Sequence, residues 1–171
     1  IFMKYDAVIF DLDGTLTDTL EDLKNSVNFA MREFGFPERT TDEVRSFVGN
    51  GVKRLIDLSV PENTSDEVSA GCLAVFKNYY KENSLVLTKP YDGVVKMLER
   101  LKKEGVKTAV VTNKMHEAAV DIVNLFFGGL IDATVGQVDG VAQKPNPDGI
   151  YSVLEKLGVS KEKAVYVGDS E

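Results

Sequence analysis

Two carboxylates, Asp11 and Asp13, follow a short apolar run at residues 7–10 and precede a glycine. The run is long enough for one buried strand and too short for a packed helix. In an open parallel sheet, ligands bind at the carboxyl ends of the strands. Two acids at such a place repel each other and lose hydration, so a cation or a proton must compensate their charge. The pattern therefore predicts a divalent metal site at Asp11 and Asp13.

An Asp-x-Asp-Gly sequence is also typical of an ordinary turn after a strand, because Asp and Gly are common turn residues. Three further polar clusters favour chemistry over a plain turn. They are Thr112 with Asn113, Lys144, and Asp169. With the two leading carboxylates they would supply a nucleophile, a proton-transfer group, a hydroxyl donor, a cation and a metal-binding acid. This set is what phosphoryl transfer through an aspartyl-phosphate requires.

Apolar runs that alternate with amphipathic stretches predict the elements that position these residues. Runs typical of buried strands are residues 7–10, 107–111, 133–135 and 164–167. Helical patterns separate the later runs, and Asn146 is expected to cap the helix that Pro147 opens. Such alternation implies right-handed crossovers and a parallel sheet. We therefore expect an α/β fold with a Rossmann-like parallel sheet, whose carboxyl edge gathers the polar clusters.

The segment after the first strand carries helical periodicity and no strand pattern. Its helices are expected from Thr19 to Phe34, from a Thr40 capping box to Phe47, over residues 52–58, and from about 63–66 to Glu82. The strand pattern resumes only after this segment. We therefore expect a helical cap domain at residues 17–86, inserted into an α/β core at residues 1–16 and 87–171.

The acidic composition limits the classes of function that fit the chain. Its 171 residues carry a formal net charge of -7, and 43% of them are hydrophobic. The charge argues against a nucleic-acid binder, whereas a small anionic substrate stays open because a metal can reverse the local field. The single cysteine, Cys72, excludes an internal disulfide framework, and its apolar pattern predicts burial. We see no leader or membrane-spanning run, and expect a cytoplasmic monomer or homodimer with no nucleic-acid or membrane partner.

Four sequence motifs resemble those of one known superfamily, in the usual order. They are DLDGT at 11–15, VVTN at 110–113, KPNPD at 144–148 and VGDS at 167–170. They look like the four motifs of the haloacid dehalogenase superfamily. The helical insertion after the first motif resembles the cap of its phosphoglycolate phosphatase-like branch. The resemblance implies a phosphatase that acts through a covalent phospho-aspartate.

The resemblance also implies a role for each chemically active residue. Asp11 would attack the substrate phosphorus, and Asp13 would protonate the leaving oxygen and then deprotonate the hydrolytic water. Lys144 would offset the negative charge between Asp11 and the phosphoryl group. Asp169 would bind Mg²⁺ together with Asp11 and the backbone carbonyl of Asp13. The expected cofactor is Mg²⁺, and the expected partner is a small anionic phosphoester.

Two groups of residues are expected to bind the substrate. In the core, the phosphoryl oxygens would be held by Leu12, Gly14, Thr112 and Asn113. In the cap, Gly49, Asn50, Gly51 and Lys53 resemble a loop of phosphoglycolate phosphatases. Lys53 or Arg54 could face a carboxylate such as that of 2-phosphoglycolate. The alternative for this loop is a plain turn between helices with solvated charges.

Three alternatives to a phosphoglycolate phosphatase stay open. Pyrophosphatases and phosphosugar phosphatases or mutases resemble the core equally. Family members continue past the metal-binding acid with a second acid and further elements, whereas this chain ends at Glu171. We therefore expect that the C-terminal part of the core is missing and that an inactive fragment is possible. A phospho-accepting signalling domain is the third alternative, although such domains have neither the DxDGT motif nor a helical cap.

Overall fold

The computed structural model describes residues 4–169, and its centre is a four-stranded parallel sheet. The strands are β1 (Ala7–Phe10), β4 (Lys107–Met115), β5 (Ala133–Gln137) and β6 (Ala164–Val167). Their order across the sheet is β5-β4-β1-β6. The first strand is therefore central, with β4 paired on one side and β6 on the other. The expected α/β fold with a parallel sheet is confirmed.

Helices pack on both faces of this sheet at β1 and β4, which explains why these two strands are apolar on both sides, whereas Tyr166 and Val167 of β6 are 38% and 40% exposed. The helices of this α/β unit are α5 (Val94–Lys103), α6 (His116–Phe127) and α7 (Asp148–Leu157). On one face, Phe10 and Val110 pack in a buried cluster with residues of α5 and α6. On the other face, Ile9 and Val111 pack with residues of α7. Alternate residues of β1 and β4 thus anchor the two layers of helices.

A second compact unit consists of four helices at residues 19–89. They are α1 (Leu20–Glu33), α2 (Thr41–Phe47), α3 (Gly51–Ser59) and α4 (Asp66–Asn83). Thr40 and Glu43 form the expected capping box at the start of α2. Cys72 is fully buried in this unit, as its apolar pattern predicts. We call residues 19–89 the helical unit, and the described parts of 1–18 and 90–171 the α/β unit.

Three local expectations from the sequence are wrong. The expectation of no strand in the insertion misses β2 (Thr17–Asp18), which pairs with β3 (Lys89–Pro90). The helix α7 begins at Asp148, so Pro147 takes the N-cap position, although the Asn146 side chain still accepts a hydrogen bond from the Asp148 N–H at 2.9 Å. The strand β4 continues to Met115 instead of ending at residue 111. Residues 112 and 113 therefore lie within a strand, because pairing with β5 resumes after an irregularity.

Among residues 4–169, no helix combines the length and apolarity needed to cross a membrane.

Candidate active site

The first carboxylate lies where the chain order of the sheet reverses. β1 stands between β4 and β6, and ligands bind at such switch points in open α/β sheets. The Asp11 N–H donates to the Val167 carbonyl at 2.8 Å, so the ladder holds this residue one position beyond β1. Its carboxylate is buried, and Oδ1 accepts the Leu12 N–H at 2.7 Å. Asp11 therefore has a fixed orientation at the carboxyl end of the central strand.

A tight turn follows, and it brings Asp169 against the first motif. Gly14 has φ of +77°, and its N–H donates to the Thr17 carbonyl at 2.9 Å. A Cβ at Gly14 would lie 2.2 Å from Asp169 Oδ2, so only glycine leaves room for that carboxylate. The Thr15 hydroxyl donates to Asp169 Oδ1 at 3.1 Å. Gly14 thus leaves space for the Asp169 carboxylate, and the Thr15 hydroxyl donates a hydrogen bond to it.

The second motif lies on a bulge of β4, which places its polar side chains at the site. Val111 pairs with Val135 and Met115 with Gln137, so four steps along β4 match two along β5. A bulge of this kind re-aims side chains and leaves some residues unpaired with the neighbouring strand. The bulge carries Thr112, Asn113 and Lys114, all of them buried. Thr112 Oγ1 accepts the Lys114 N–H at 3.2 Å.

Lys114 was given no role by the sequence analysis, yet it pairs with the second carboxylate. Its Nζ lies 3.0 Å and 3.3 Å from the two oxygens of Asp13, and its side chain is 1% exposed. A lysine is almost never buried to this degree without a charged partner. The signal in the sequence that could have indicated a site role for Lys114 was its position directly after Thr112 and Asn113. The sequence alone could not tell which acid it would meet, 101 residues away.

Lys144 pairs with the first carboxylate, as its expected role requires. Its Nζ donates to Asp11 Oδ2 at 2.6 Å and to the Tyr166 hydroxyl at 2.6 Å. Its backbone is hydrogen-bonded to the side chain of Asn113. Tyr166 on β6 is a second residue that the sequence analysis missed. Burial raises the pKa of Tyr166, so its hydroxyl stays protonated at neutral pH.

The oxygen atoms expected to bind a metal suit a hard divalent cation. They are the carboxylates of Asp11 and Asp169 and the backbone carbonyl of Asp13, and oxygen is the donor that Mg²⁺ prefers. Within residues 4–169, no three His, Cys, Asp or Glu side chains gather as a metal site. The expected donor set lies outside that criterion, because only two of its donors are side chains and the third is a main-chain carbonyl. The close approach of Asp169 to Gly14 also brings this acid beside the Asp13–Gly14 peptide.

The expected cap loop lies between α2 and α3 of the helical unit. Gly49 and Gly51 have positive φ, of 119° and 81°, which explains the choice of glycine. Asn50 is the N-cap residue of α3, without a side-chain capping bond. Lys53 is an exposed residue of α3 and donates to Asp57 Oδ2 at 2.6 Å. In this structure Lys53 is thus engaged by an acid of its own helix.

The α/β unit therefore presents two carboxylates, each bonded to its own ammonium group. Asp11 pairs with Lys144, and Asp13 pairs with Lys114. A carboxylate cannot readily approach an anionic ester in water, and fixed cations at the point of attack remove this barrier. The arrangement is suited to nucleophilic attack on an anionic centre, with a second carboxylate available for proton transfer.

Comparison with known proteins gives consistent matches along the chain. The sequence model of the family described as haloacid dehalogenase-like hydrolase matches residues 8–171. The phosphoglycolate phosphatase of Aquifex aeolicus is 37% identical, with 96% of this chain and 76% of that protein covered. Phosphoglycolate phosphatase 1 of Pseudomonas aeruginosa is 33% identical, with 95% and 62% covered. The chain thus spans about three fifths to three quarters of these two relatives.

Solved structures agree with the sequence matches. A Lactobacillus delbrueckii protein, provisionally described as a phosphoglycolate phosphatase, has a TM-score of 0.92 and 34% identity, with 98% of this chain and 80% of that chain covered. A Haemophilus somnus protein, predicted to be a phosphoglycolate phosphatase, has a TM-score of 0.89 and 29% identity, with 98% and 78% covered.

Proposed function

The chain belongs to the haloacid dehalogenase-like hydrolase family, and from this membership we propose that it is a Mg²⁺-dependent phosphatase that hydrolyses 2-phosphoglycolate. The reaction passes through an aspartyl-phosphate on Asp11. The observation that carries the proposal is the buried Asp11 carboxylate, held 2.6 Å from Lys144 Nζ at the switch point of the sheet. A carboxylate placed in this way combines a fixed direction of attack with a nearby positive charge.

The chain's own residues supply both chemical steps. In the first, which begins with Asp13 protonated, an Asp11 oxygen forms a bond to phosphorus, the ester P–O bond breaks, and the leaving oxygen takes the proton from Asp13. In the second, Asp13 takes a proton from water, whose oxygen bonds to phosphorus as the Asp11–phosphorus bond breaks. Inorganic phosphate leaves, and Asp11 is regenerated. Lys144 stabilises the negative charge beside Asp11, while the Thr112 hydroxyl and the backbone amide of Asn113 hold phosphoryl oxygens.

Mg²⁺ would be held by Asp11, Asp169 and the backbone carbonyl of Asp13. When bound, it neutralises charge between the nucleophile and the phosphoryl group. The oxygen-only donor set supports this choice of ion. Leu12 and Gly14 belong to the same turn, where the absence of a Cβ at Gly14 lets the backbone come close to a phosphate.

The choice of 2-phosphoglycolate is supported by the relatives that carry that name. In the proposal, residues 17–86 are the cap domain and residues 1–16 and 87–171 are the core, and the Gly49-Asn50-Gly51 loop contacts the substrate. Lys53 would release Asp57 and bind the substrate carboxylate in its place. The side chain is 75% exposed, so that exchange costs little desolvation. We place the enzyme in the cytoplasm as a monomer or homodimer.

The test is phosphate release from 2-phosphoglycolate, pyrophosphate and several sugar phosphates, with and without Mg²⁺. The assay uses the protein encoded by the complete reading frame that contains these residues, beside the 171-residue chain. We expect Mg²⁺-dependent release with a preference for 2-phosphoglycolate. Comparable rates with pyrophosphate or the sugar phosphates would remove the substrate assignment and keep the mechanism. No phosphate release from any of these compounds would overturn the proposal and favour an inactive fragment or a signalling domain.

A further inference from the structure

Lys144 lies on the loop between β5 and α7, outside any strand or helix. Its side chain nevertheless reaches Asp11 and Tyr166, at 2.6 Å each. A flexible side chain can make such contacts only if its backbone is held at the right distance. Loops are generally more mobile than the elements they connect, so this position calls for a specific restraint.

The Asn113 side chain contacts the backbone of residue 144 with both ends of its amide. The Lys144 N–H donates to Asn113 Oδ1 at 2.8 Å, and Asn113 Nδ2 donates to the Lys144 carbonyl at 3.2 Å. Asn113 is 7% exposed and sits on the bulge of β4. The pair of bonds resembles one rung of a sheet ladder, made by a side chain across 31 residues.

We propose that Asn113 is a positioning residue, whose side chain fixes the backbone of Lys144 so that its ammonium stands at Asp11. The kinetic part of this inference rests on the proposed function. The side-chain amide is engaged at both ends by the main chain of residue 144, while the Asn113 backbone N–H remains assigned to the phosphate. Substituting the side chain therefore removes the restraint and keeps the backbone donor.

The helical unit contains a matched control for this contact. The side chain of Asn28 in α1 makes the same two hydrogen bonds to the main chain of Arg39. The Arg39 N–H donates to Asn28 Oδ1 at 2.8 Å, and Asn28 Nδ2 donates to the Arg39 carbonyl at 2.9 Å. Asn28 is 6% exposed, so the two amides are equally buried. Asn28→Ala removes the same two hydrogen bonds at a residue to which the proposed reaction assigns no role.

The experiment compares Asn113→Ala with Asn28→Ala in three measurements: thermal unfolding, kcat and KM for the best substrate, and crystal structures. We expect the two variants to lower Tm by similar amounts. We expect kcat to fall about 10- to 100-fold in Asn113→Ala, with KM within about threefold of wild type, because displacing a charged group by about 1 Å has effects of this size. In the crystals, the distance from Lys144 Nζ to Asp11 Oδ2 should lengthen by about 1 Å from 2.6 Å in Asn113→Ala alone.

Two results would overturn the positioning role. One is an unchanged distance from Lys144 Nζ to Asp11 Oδ2 in Asn113→Ala. The other is a loss of kcat no larger than that of Asn28→Ala, or a rise in KM alone, which would make Asn113 a direct substrate ligand. The crystallographic distance needs no activity. If wild-type protein releases no phosphate, the proposed function fails, and this distance still decides whether Asn113 positions Lys144.

Discussion

The α/β unit and the helical unit use charged residues in opposite ways. In the α/β unit, Lys144 pairs with Asp11 and Lys114 with Asp13, across 133 and 101 residues, and at least one partner of each pair is nearly inaccessible. Three ion pairs of the helical unit, among them Lys53 with Asp57, join residues three or four apart on one helix, and at least one partner of each is exposed. Burying charges costs desolvation that exposed pairs avoid. The two buried pairs of the α/β unit therefore form an arrangement suited to chemistry, whereas the three pairs of the helical unit remain in contact with solvent.

The largest expected contrast concerns two buried aspartates. Asp11 of the α/β unit faces a lysine, whereas Asp22 of the helical unit is 2% exposed and accepts hydrogen bonds from Leu87 N–H, Thr88 N–H and the Thr88 hydroxyl. Asp11→Asn removes the nucleophile at constant size, so we expect kcat to fall at least about 10³-fold with the fold retained. Asp22→Asn should cost about 1–3 kcal/mol, because its new N–H group faces donors.

Steady-state phosphate release and urea unfolding of both variants measure this contrast. Asp22→Asn should keep kcat close to wild type, since the residue only ties the segment at 87–88 to α1. A wild-type rate in Asp11→Asn would refute the covalent mechanism.

The second contrast compares two lysines that each pair with an aspartate. Lys114→Met leaves Asp13 without its buried cation, and we expect a loss of about 3 kcal/mol in the free energy of unfolding. Lys53→Met breaks an exposed pair and should change that free energy by less than about 0.5 kcal/mol. Urea denaturation gives both values. Adding Asp13→Asn to Lys114→Met should recover much of the loss, and a further loss of stability would show that the pair is not the cause.

The third contrast compares two glycines with positive φ. Gly14 has φ of +77° and touches Asp169, whereas Gly35 of the helical unit has φ of +68° and no atom within 4 Å of an added Cβ. Gly35→Ala should therefore cost only backbone strain, about 1 kcal/mol. Gly14→Ala should cost about 2 kcal/mol and displace Asp169, lowering Mg²⁺ affinity at least about tenfold. Calorimetric titration with Mg²⁺ checks this, and equal affinities in the two variants would contradict the metal site.

The smallest expected effect is a pH dependence within the helical unit. The hydrogen bond from Lys53, together with that from Ser69, lowers the pKa of Asp57 below its ordinary value of 3.8. A lowered folded pKa stabilises the protein above the unfolded pKa, and this contribution is lost as the pH falls through the folded value. Asp57→Asn should therefore cost about 0.5 kcal/mol at pH 7 and progressively less as the pH falls below 3.8. Urea unfolding at several pH values measures it; a constant difference would mean that the charge is not responsible.

Much of the fold could be predicted because local patterns in the sequence specify it. The buried strand at 7–10 and the capping box at Thr40 follow from periodicity and caps, which act over a few residues. The end of β4 was predicted too early. Thr112 and Asn113 read as the end of a strand, because a bulge depends on the partner strand and leaves little trace in the bulged sequence.

For the candidate site, the sequence indicated which residues lie at the carboxyl edge but not how they pair. Asp11, Asp13 and Lys144 were expected there because strand ends in a parallel sheet meet at one edge. Lys114 received no role because its burial depends on the bulge and on a carboxylate far away in the chain. Tyr166 was read as a strand residue, and its contact with Lys144 depends on where the intervening loop returns.

The sequence by itself determined the residue types, their order and the elements that carry them, because helix, strand and cap preferences are local. Only the tertiary structure decided that Lys144 meets Asp11, that Lys114 meets Asp13 and that Asn113 holds the backbone of residue 144. These contacts require strand order, bulge geometry and side-chain rotamers to be set together. The physical reason is that burying a charge costs desolvation free energy. In each pair this cost is offset by the attraction of a partner group that only folding brings within about 3 Å.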